Sequence, residues 1–254
     1  MSIPPNRHRR TALRALGAAF VSAPIGAALG CSNGSSPTSP TSTAVSGGSS
    51  GGSGGTGTTT GQCVESANET RGPYPDQLGM VSNQAFYRQD IREGRAGTPL
   101  TVTFTVVNTR NACAAVPNAA VEIWQCDADG HYSEYAQGNY DGRGQTFLRG
   151  LQLTNGTGQC TFVTIYPGWY QGRATHIHVD VTVNGQRVKS TQMAFPEEVS
   201  AQVYAQGAYA SKGQNSTTNA RDNVFSDGTS TEMASVSGSP ATGYTASLQV
   251  GVAT

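Results

Sequence analysis

The chain has 254 residues with equal numbers of basic and acidic side chains, and only 13% of its residues are charged. Four of the 16 Lys and Arg residues lie in the first 31 positions and no acidic residue precedes Glu65, so the remainder carries a net charge of −4. A mildly acidic chain without basic clusters argues against a nucleic acid as partner.

Residues 1–31 have the composition of an export signal. An arginine pair, Arg9-Arg10, precedes a weakly apolar run that is too short and too rich in small residues for a stable membrane span, which favours a twin-arginine signal. The run ends in Ala28-Leu29-Gly30-Cys31, which resembles a lipoprotein cleavage box with Cys31 as the lipidated residue. The alternative is a plain secretory signal followed by a chance cysteine.

Residues 32–61 contain almost only Ser, Gly, Thr and Pro. Such a segment has no apolar surface to offset the entropy of ordering, so we expect a flexible tether. The predicted domain is then 62–254, long enough for one sizeable core. This organisation predicts an exported protein of the cell envelope that contacts a membrane only through Cys31.

The domain contains four cysteines, Cys63, Cys113, Cys126 and Cys160. An even number in an exported chain favours two disulfides, and no Cys-x-x-Cys spacing supports the alternative of a metal site. Cys126 ends one predicted strand and Cys160 begins another, so we expect a Cys126–Cys160 bridge. Cys63–Cys113 would then hold the N-terminal segment, although four cysteines allow three pairings.

The pattern of the domain is mainly β. Turn signals separate its apolar and alternating segments, and residues 196–206 predict one short helix that begins near Pro196. Several short strands with little helix predict a β-sandwich, with long loops over 207–245. The turn Asn184-Gly185 predicts a tight hairpin. The predicted strands are 100–108, 119–126, 160–166, 176–183, 187–195 and 246–252.

The strand 176–183 carries a candidate metal site. His176 and His178 share one face with Asp180, while the aliphatic residues between them lie on the other face, toward a core. Both imidazoles therefore project from the polar face, close enough to bind one metal ion. The alternative is a pair of exposed histidines on a partly solvated strand, and the spacing alone does not identify the metal.

Two tyrosines near this strand add a different type of ligand. Tyr170 ends a Pro-Gly-Trp-Tyr turn, and Tyr132 follows the predicted strand 119–126. Phenolate oxygen is a hard anionic ligand that favours iron(III). A free tyrosine titrates near pH ~10, so deprotonation at neutral pH requires the charge of the metal. The alternative is that these tyrosines are structural, as we expect for most of the ten.

Five segments resemble the intradiol ring-cleavage dioxygenases, most of all their exported, single-domain branch. The most specific element is Tyr-Pro-Gly-Trp-Tyr followed by Arg-x-x-His-Ile-His. The family has a prealbumin-like β-sandwich and a non-haem iron(III) held by two tyrosines and two histidines. The segments are "RGPYPDQ", "RQDIREGRAGTPLTVTFTVVN", "PNAAVEIWQCDADGHYSEY", "TFLRGLQLTNGTGQCTFVTIYPGWYQGRATHIHVDV" and "ATGYTASLQVGV".

The resemblance implies specific roles for five residues. Tyr132, Tyr170, His176 and His178 would hold iron(III), with Tyr135 and Tyr140 as rivals of Tyr132. Arg173 would face the substrate and stabilise negative charge.

The implied enzyme takes a catechol-type substrate and O2. The catechol binds as a dianion and displaces Tyr170, which accepts a proton. Oxygen is inserted between the two hydroxylated carbons, and hydrolysis gives a cis,cis-muconate-type diacid that carries both atoms of O2. Catechol, protocatechuate, hydroxyquinol and lignin-like phenols all remain candidate substrates. The signal and tether occupy the place of the helical dimerisation region of cytoplasmic members, so the oligomeric state stays open.

Two alternatives involve no catalysis. The domain would be an exported transthyretin-like module that binds a ligand, or a lipoprotein that binds zinc or copper without turnover. Visible absorption separates these alternatives from the enzyme, because tyrosinate bound to iron(III) is coloured and zinc or an empty site is not.

Overall fold

The computed structural model describes residues 63–254. The predicted signal 1–31, the tether 32–61 and lipidation at Cys31 lie outside the described residues. Within 63–254, no helix has the length and apolar character needed to cross a membrane. The strands are β1 (Pro99–Asn108), β2 (Ala114–Ala115), β3 (Ala120–Trp124), β4 (Ala136–Gln137), β5 (Tyr140–Asp141), β6 (Arg149–Leu153), β7 (Gln159–Ile165), β8 (His176–Val183), β9 (Gln186–Ala194), β10 (Ser235–Ser239) and β11 (Gly243–Val252).

Two sheets form a sandwich. One has the order β10-β11-β1-β2 with β7 also paired to β1, and β1 runs parallel to β11. The other has the order β6-β3-β8-β9, and its neighbouring strands are antiparallel. A small hairpin of β4 and β5 stands apart. The helix α1 (Glu197–Tyr204) follows β9, and short 3₁₀ turns lie at Met80–Ser82, Gln84–Phe86, Gly207–Tyr209 and Asn219–Arg221.

Alternation along the strands builds one main core between the sheets. In β1, Leu100, Val102, Phe104 and Val106 are buried, and the threonines between them are partly exposed. The aliphatic residues of β8 face the same core from the opposite sheet, as the period of two predicts. The remaining contributors include Val121, Ile123, Phe162, Met193, Ala246, Leu248 and Val250.

The predicted fold class and the main elements are confirmed. Each of the six predicted strands is present, and α1 lies within the predicted helix, with Pro196 at its N-cap. Asn184 and Gly185 both have positive φ, as a type I′ hairpin turn requires. β6 and β10 were not predicted, because their sequences are rich in Gly and Ser or short.

One of the two expected disulfides is present. Cys63–Cys113 forms, with its Cα atoms 5.4 Å apart. The expected Cys126–Cys160 bridge is wrong, since both cysteines are buried free thiols. Cys126 follows β3 in one sheet, whereas Cys160 lies near the start of β7 in the other. The Gln125 side chain reaches the main chain at Ile165, the far end of β7, so the two thiols lie at opposite ends of that strand.

Residues 70–87, here called the covering segment, lie across the outer face of β6, β3 and β8. Arg71 Nε donates to Asp180 of β8 at 2.7 Å, and Met80 and Phe86 pack against Leu151 of β6. Just before this segment, Glu69 N donates to the main chain of β9, and the disulfide ties down Cys63. The outer face of this sheet is therefore buried, and we call it the covered face.

Candidate metal centre

Four aromatic rings meet on the covered face. Tyr132 follows β3, Tyr170 precedes β8, and His176 and His178 lie at the start of β8. The centroids of neighbouring rings lie 4.7 to 6.2 Å apart around the set, from Tyr132 to Tyr170, to His176, to His178 and back. The structure thus brings together the four residues that the sequence proposed as ligands.

The two imidazoles point at each other. His176 Nε2 lies 3.2 Å from His178 Nε2, and His176 Nδ1 lies 2.7 Å from the carbonyl of Ala174. Nδ1 of His176 therefore donates, which leaves its Nε2 lone pair for a ligand. Metal–nitrogen bonds of about 2.1 Å place two adjacent ligands about 3 Å apart, so this separation suits one shared ion.

Burial keeps both histidines neutral. Burial, and then the Arg173 charge, lower the pKa of His176 to about 3, and burial followed by the neighbouring His176 lowers the pKa of His178 well below its usual 6.5. The alternative of exposed histidines on a partly solvated strand is wrong, because His176 is 3% and His178 0% exposed. Neutral imidazole is the form that binds metals.

Contact with rings and backbone orients His178. The Trp124 ring stacks on its imidazole, with centroids 4.7 Å apart and planes at 3°. A Cβ built at Gly72 would lie 2.9 Å from His178 Cε1, and Gly72 has a φ of +68°, so glycine lets the covering segment pass this closely. His178 Nδ1 is buried and has no hydrogen-bond partner among the described residues.

The Tyr132 hydroxyl is a buried polar atom without a partner in the described part of the chain. Tyr132 is 0% exposed, and burial raises the pKa of its phenol well above its usual value. An orphaned hydroxyl costs free energy unless a ligand satisfies it. Without a cation the ring stays a neutral phenol, whereas a nearby cation of high charge would reverse this preference.

A tight turn after β3 and a loop before β8 bring Tyr132 and Tyr170 together. Asp127 Oδ1 accepts the backbone N–H groups of Asp129 and His131, which forms the turn that leads into Tyr132. A Cβ at Gly130 would lie 2.2 Å from the carbonyl of Trp169, and this glycine has a φ of +84°. The turn after β3 and the loop before β8 therefore touch only because residue 130 is glycine.

The rival tyrosines serve other contacts. Tyr135 Oη donates to the carbonyl of Pro75 at 2.6 Å. Tyr140 stacks on His131, and its hydroxyl is 2.8 Å from Arg95 Nη2. Neither hydroxyl is free, whereas Tyr132 has its hydroxyl unpartnered beside the histidines, which favours Tyr132 as the ligand.

Arg173 lies at the edge of the four rings. Its Nη1 is 3.4 Å from Tyr170 Oη and 3.5 Å from His176 Nε2. The residue is 9% exposed, so its charge acts where little water screens it. Burial raises the pKa of Tyr170, while the neighbouring Arg173 charge lowers it in part.

The residues present fit iron(III). Two neutral imidazoles and two phenols offer two nitrogen and two oxygen ligands, and phenolate oxygen favours a trivalent ion. The unpartnered Tyr132 Oη and the two imidazole Nε2 atoms 3.2 Å apart belong to this set.

Three further residues at this site were not identified from the sequence. Tyr74 of the covering segment stacks on Tyr132 with centroids 4.7 Å apart. Gln192 of β9 accepts from Arg173 Nη2 and donates to the carbonyl of Thr70. Asp222 accepts from Arg173 Nε. Gln192 could have been noticed as a polar residue in the predicted strand after the hairpin turn. Asp222 lies in the segment interpreted as loops, where no sequence pattern pointed to it.

A family model described as Dioxygenase matches residues 71–214, more than half of the chain. The chain belongs to the intradiol ring-cleavage dioxygenase family. No curated protein sequence matches it.

Solved structures agree with this assignment. An intradiol ring-cleavage dioxygenase from Tetranychus urticae is 28% identical with a TM-score of 0.67, over 75% of this chain and 95% of that chain. The dioxygenase domain of a dioxygenase carbohydrate-binding protein fusion from Streptomyces sp. SirexAA-E is 26% identical with a TM-score of 0.53, over 75% and 99%. The 3-chlorocatechol 1,2-dioxygenase of Rhodococcus opacus 1CP shares the fold at 20% identity and a TM-score of 0.50, over 74% and 72%.

Proposed function

We propose that the protein is a non-haem iron(III) dioxygenase that cleaves a catechol-type ring between its two hydroxylated carbons. It uses both atoms of O2 and yields a cis,cis-muconate-type diacid. The observation that carries this proposal is the buried, unpartnered Tyr132 hydroxyl beside two imidazole nitrogens 3.2 Å apart. Membership of the dioxygenase family supports the same reaction class.

Tyr132, Tyr170, His176 and His178 would hold the ion. Iron(III), when bound, supplies the activation of an electron-rich catechol dianion toward O2. The chain supplies geometry and proton transfer. Tyr170 lies on a loop and is partly exposed, so its phenol oxygen would be the better placed of the two to accept a catechol proton.

Arg173 and the covering segment complete the site. Nη1 of Arg173 lies near both Tyr170 and His176, where it would stabilise negative charge on the substrate. Tyr74 and Gly72 of the covering segment close over Tyr132 and His178, which keeps water from this part of the site.

The absorption spectrum tests the ligand set. Iron-loaded protein should show a broad visible tyrosinate band that changes when catechol is added without oxygen, and zinc-loaded protein should show none. Admission of ¹⁸O2 should then give a diacid that carries both labelled atoms. A colourless iron protein would contradict the ligand set, and a coloured protein without turnover would favour the metal-binding lipoprotein.

We also propose that the domain 62–254 is exported and held in the cell envelope, with 1–31 as signal and 32–61 as tether. The disulfide Cys63–Cys113 supports an oxidising compartment. The intact mass of protein from the membrane fraction tests this, because the mature chain should begin at a lipidated Cys31. An N-terminus elsewhere, or an unlipidated Cys31, would contradict the lipid anchor.

A further inference from the structure

The guanidinium of Arg173 is held at two of its three nitrogens. Nε donates to both carboxylate oxygens of Asp222, at 3.0 and 2.8 Å, and Nη2 donates to Gln192 Oε1. The remaining nitrogen, Nη1, faces Tyr170 and His176. Because the guanidinium is planar, fixing Nε and Nη2 also fixes the direction of Nη1.

The surroundings of Asp222 fix its carboxylate in position to bind Arg173. It is 2% exposed, and it directly follows the 3₁₀ turn Asn219–Arg221. Its Oδ2 also accepts from Ala174 N at 2.7 Å, and its Oδ1 accepts from Val224 N at 2.9 Å. Both oxygens thus face only donors, so the carboxylate can be replaced neither by an amide nor by a longer acid without loss of a contact.

We propose that Asp222 is a positioning residue for ring cleavage, which aims Nη1 of Arg173 at the substrate. This inference rests on the proposed function. Asp222 lies outside the matched range 71–214, in the segment that the sequence indicated as loops. The loop 215–225 is therefore a part of the site, although it contributes no metal ligand.

A structural role is the competing explanation, because Asp222 also holds the backbone of Ala174, two residues before His176. A double-mutant cycle separates the two. If Asp222 acts through Arg173, then its substitution matters little once Arg173 is gone, whereas a structural defect adds to the loss.

The cycle uses iron-loaded protein with Arg173→Ala, Asp222→Asn and both substitutions together. Asp222→Asn should keep the iron and the visible band but lower kcat about 10²-fold, the size expected for a misplaced catalytic group. In the Arg173→Ala background the same change should lower kcat less than about threefold. Asp227→Asn, an exposed acid in the same segment, serves as the matched control and should leave kcat unchanged.

Metal-free protein gives a second readout that does not depend on turnover. The Nε–H proton of Arg173, assigned by its absence in Arg173→Ala, should exchange slowly with water in ¹⁵N spectra of the wild type. It should exchange quickly in Asp222→Asn. Equal protection in both proteins, or full additivity in the cycle, would overturn the role of Asp222. Absence of turnover in iron-loaded wild type would instead overturn the proposed function.

Discussion

Both sheets of the sandwich turn every second side chain away from the shared core, but the two outer faces differ. On the sheet with β1, β7 and β11 the outward residues are small and polar, such as Thr103, Thr161 and Ser247, and they are partly or fully exposed. On the covered face the outward residues include Trp124, His178 and Asp180, all essentially buried. We call the first the open face.

The difference shows where polar groups require partners. Hydroxyls on the open face exchange hydrogen bonds with water at little cost, and Thr103 and Thr161 also bond each other at 3.1 Å. On the covered face each polar atom must find a protein partner or a ligand. The unpartnered Tyr132 hydroxyl is therefore informative, whereas an unpaired hydroxyl on the open face would not be.

The largest expected effect concerns the disulfide that precedes the covering segment. Cys63 and Cys113 close a loop with a sequence separation of 50 residues. Replacing both with serine should lower the free energy of unfolding by about 4 kcal/mol, according to the chain-entropy estimate for such a loop. Denaturant unfolding checks this, and hydrogen exchange should increase over residues 63–75. Reductant should destabilise the wild type to the same extent and leave the double variant unchanged. Equal stability of both proteins would show that the covered face does not depend on this bond.

A buried acid on the covered face gives a pH-dependent effect. Burial, followed by the charge of Asp180, raises the pKa of Glu122 from 4.5 to about 7. The folded state thus keeps a proton that the unfolded chain loses, and stability falls as pH rises from about 4.5 to about 7. Glu122→Gln removes this loss and should stabilise metal-free protein by up to about 3 kcal/mol at pH 8. Denaturant unfolding should show no gain at pH 4.5, and the exposed Glu198→Gln should show none at either pH. A pH-independent difference would contradict the assignment.

Two orphaned tyrosine hydroxyls, one just after β3 and one in β11 of the opposite sheet, sharpen the comparison. Tyr132 Oη and Tyr244 Oη are both buried and unpartnered, but Tyr244 lies in β11, away from the four rings. Tyr132→Phe should weaken iron binding about 10²-fold, at least as much as the loss of an outer-shell contact. Tyr170→Phe should retain iron and part of the colour while turnover falls, since a proton-accepting ligand is missing.

Iron content, visible absorption and turnover of the three variants check this prediction. Tyr244→Phe should leave all three unchanged. If Tyr132→Phe and Tyr170→Phe both kept the wild-type spectrum, the tyrosinate site would be misassigned and the ligand-binding module would become the better hypothesis.

The smallest expected effect on stability comes from removing one polar contact on each face. Arg71 bonds Asp180, which is 0% exposed, so Arg71→Met should lower the free energy of unfolding by about 2 kcal/mol. Thr103→Val removes the contact with Thr161 on the open face and should change stability by less than about 0.5 kcal/mol. Thermal unfolding of both variants at one pH is sufficient. Similar losses of stability in the two variants would mean that the covering segment does not make polar contacts on its face more important.

Much of the fold was predictable because apolar and polar residues alternate clearly along these strands. The alternation of 100–108 and 176–183 gave the core face of each sheet and placed His176 and His178 on the same side. The residues that β9 places opposite β8 were harder to predict. The hairpin turn pairs Val183 with Gln186, but a bulge after Val181 shifts the register by one residue. Counting from the turn would place Thr191 opposite His178, whereas the bulge places Gln192 there.

Long-range contacts account for the rest. The covering segment has no regular pattern, so its sequence did not reveal that Gly72 and Tyr74 lie on the site. Asp222 reaches Arg173 across 49 residues from a loop rich in polar residues. The wrong Cys126–Cys160 bridge had the same cause, since strand-end positions did not show which end of β7 faces β3.

The position of the disulfide also has a mechanical consequence. The proposed tether ends at residue 61, and Cys63 is bonded to Cys113, which follows β1. A pull along the tether would pass through this covalent bond into the long strand β1 rather than along the covering segment. On the proposed anchoring, the site would then keep its geometry while the domain is under load.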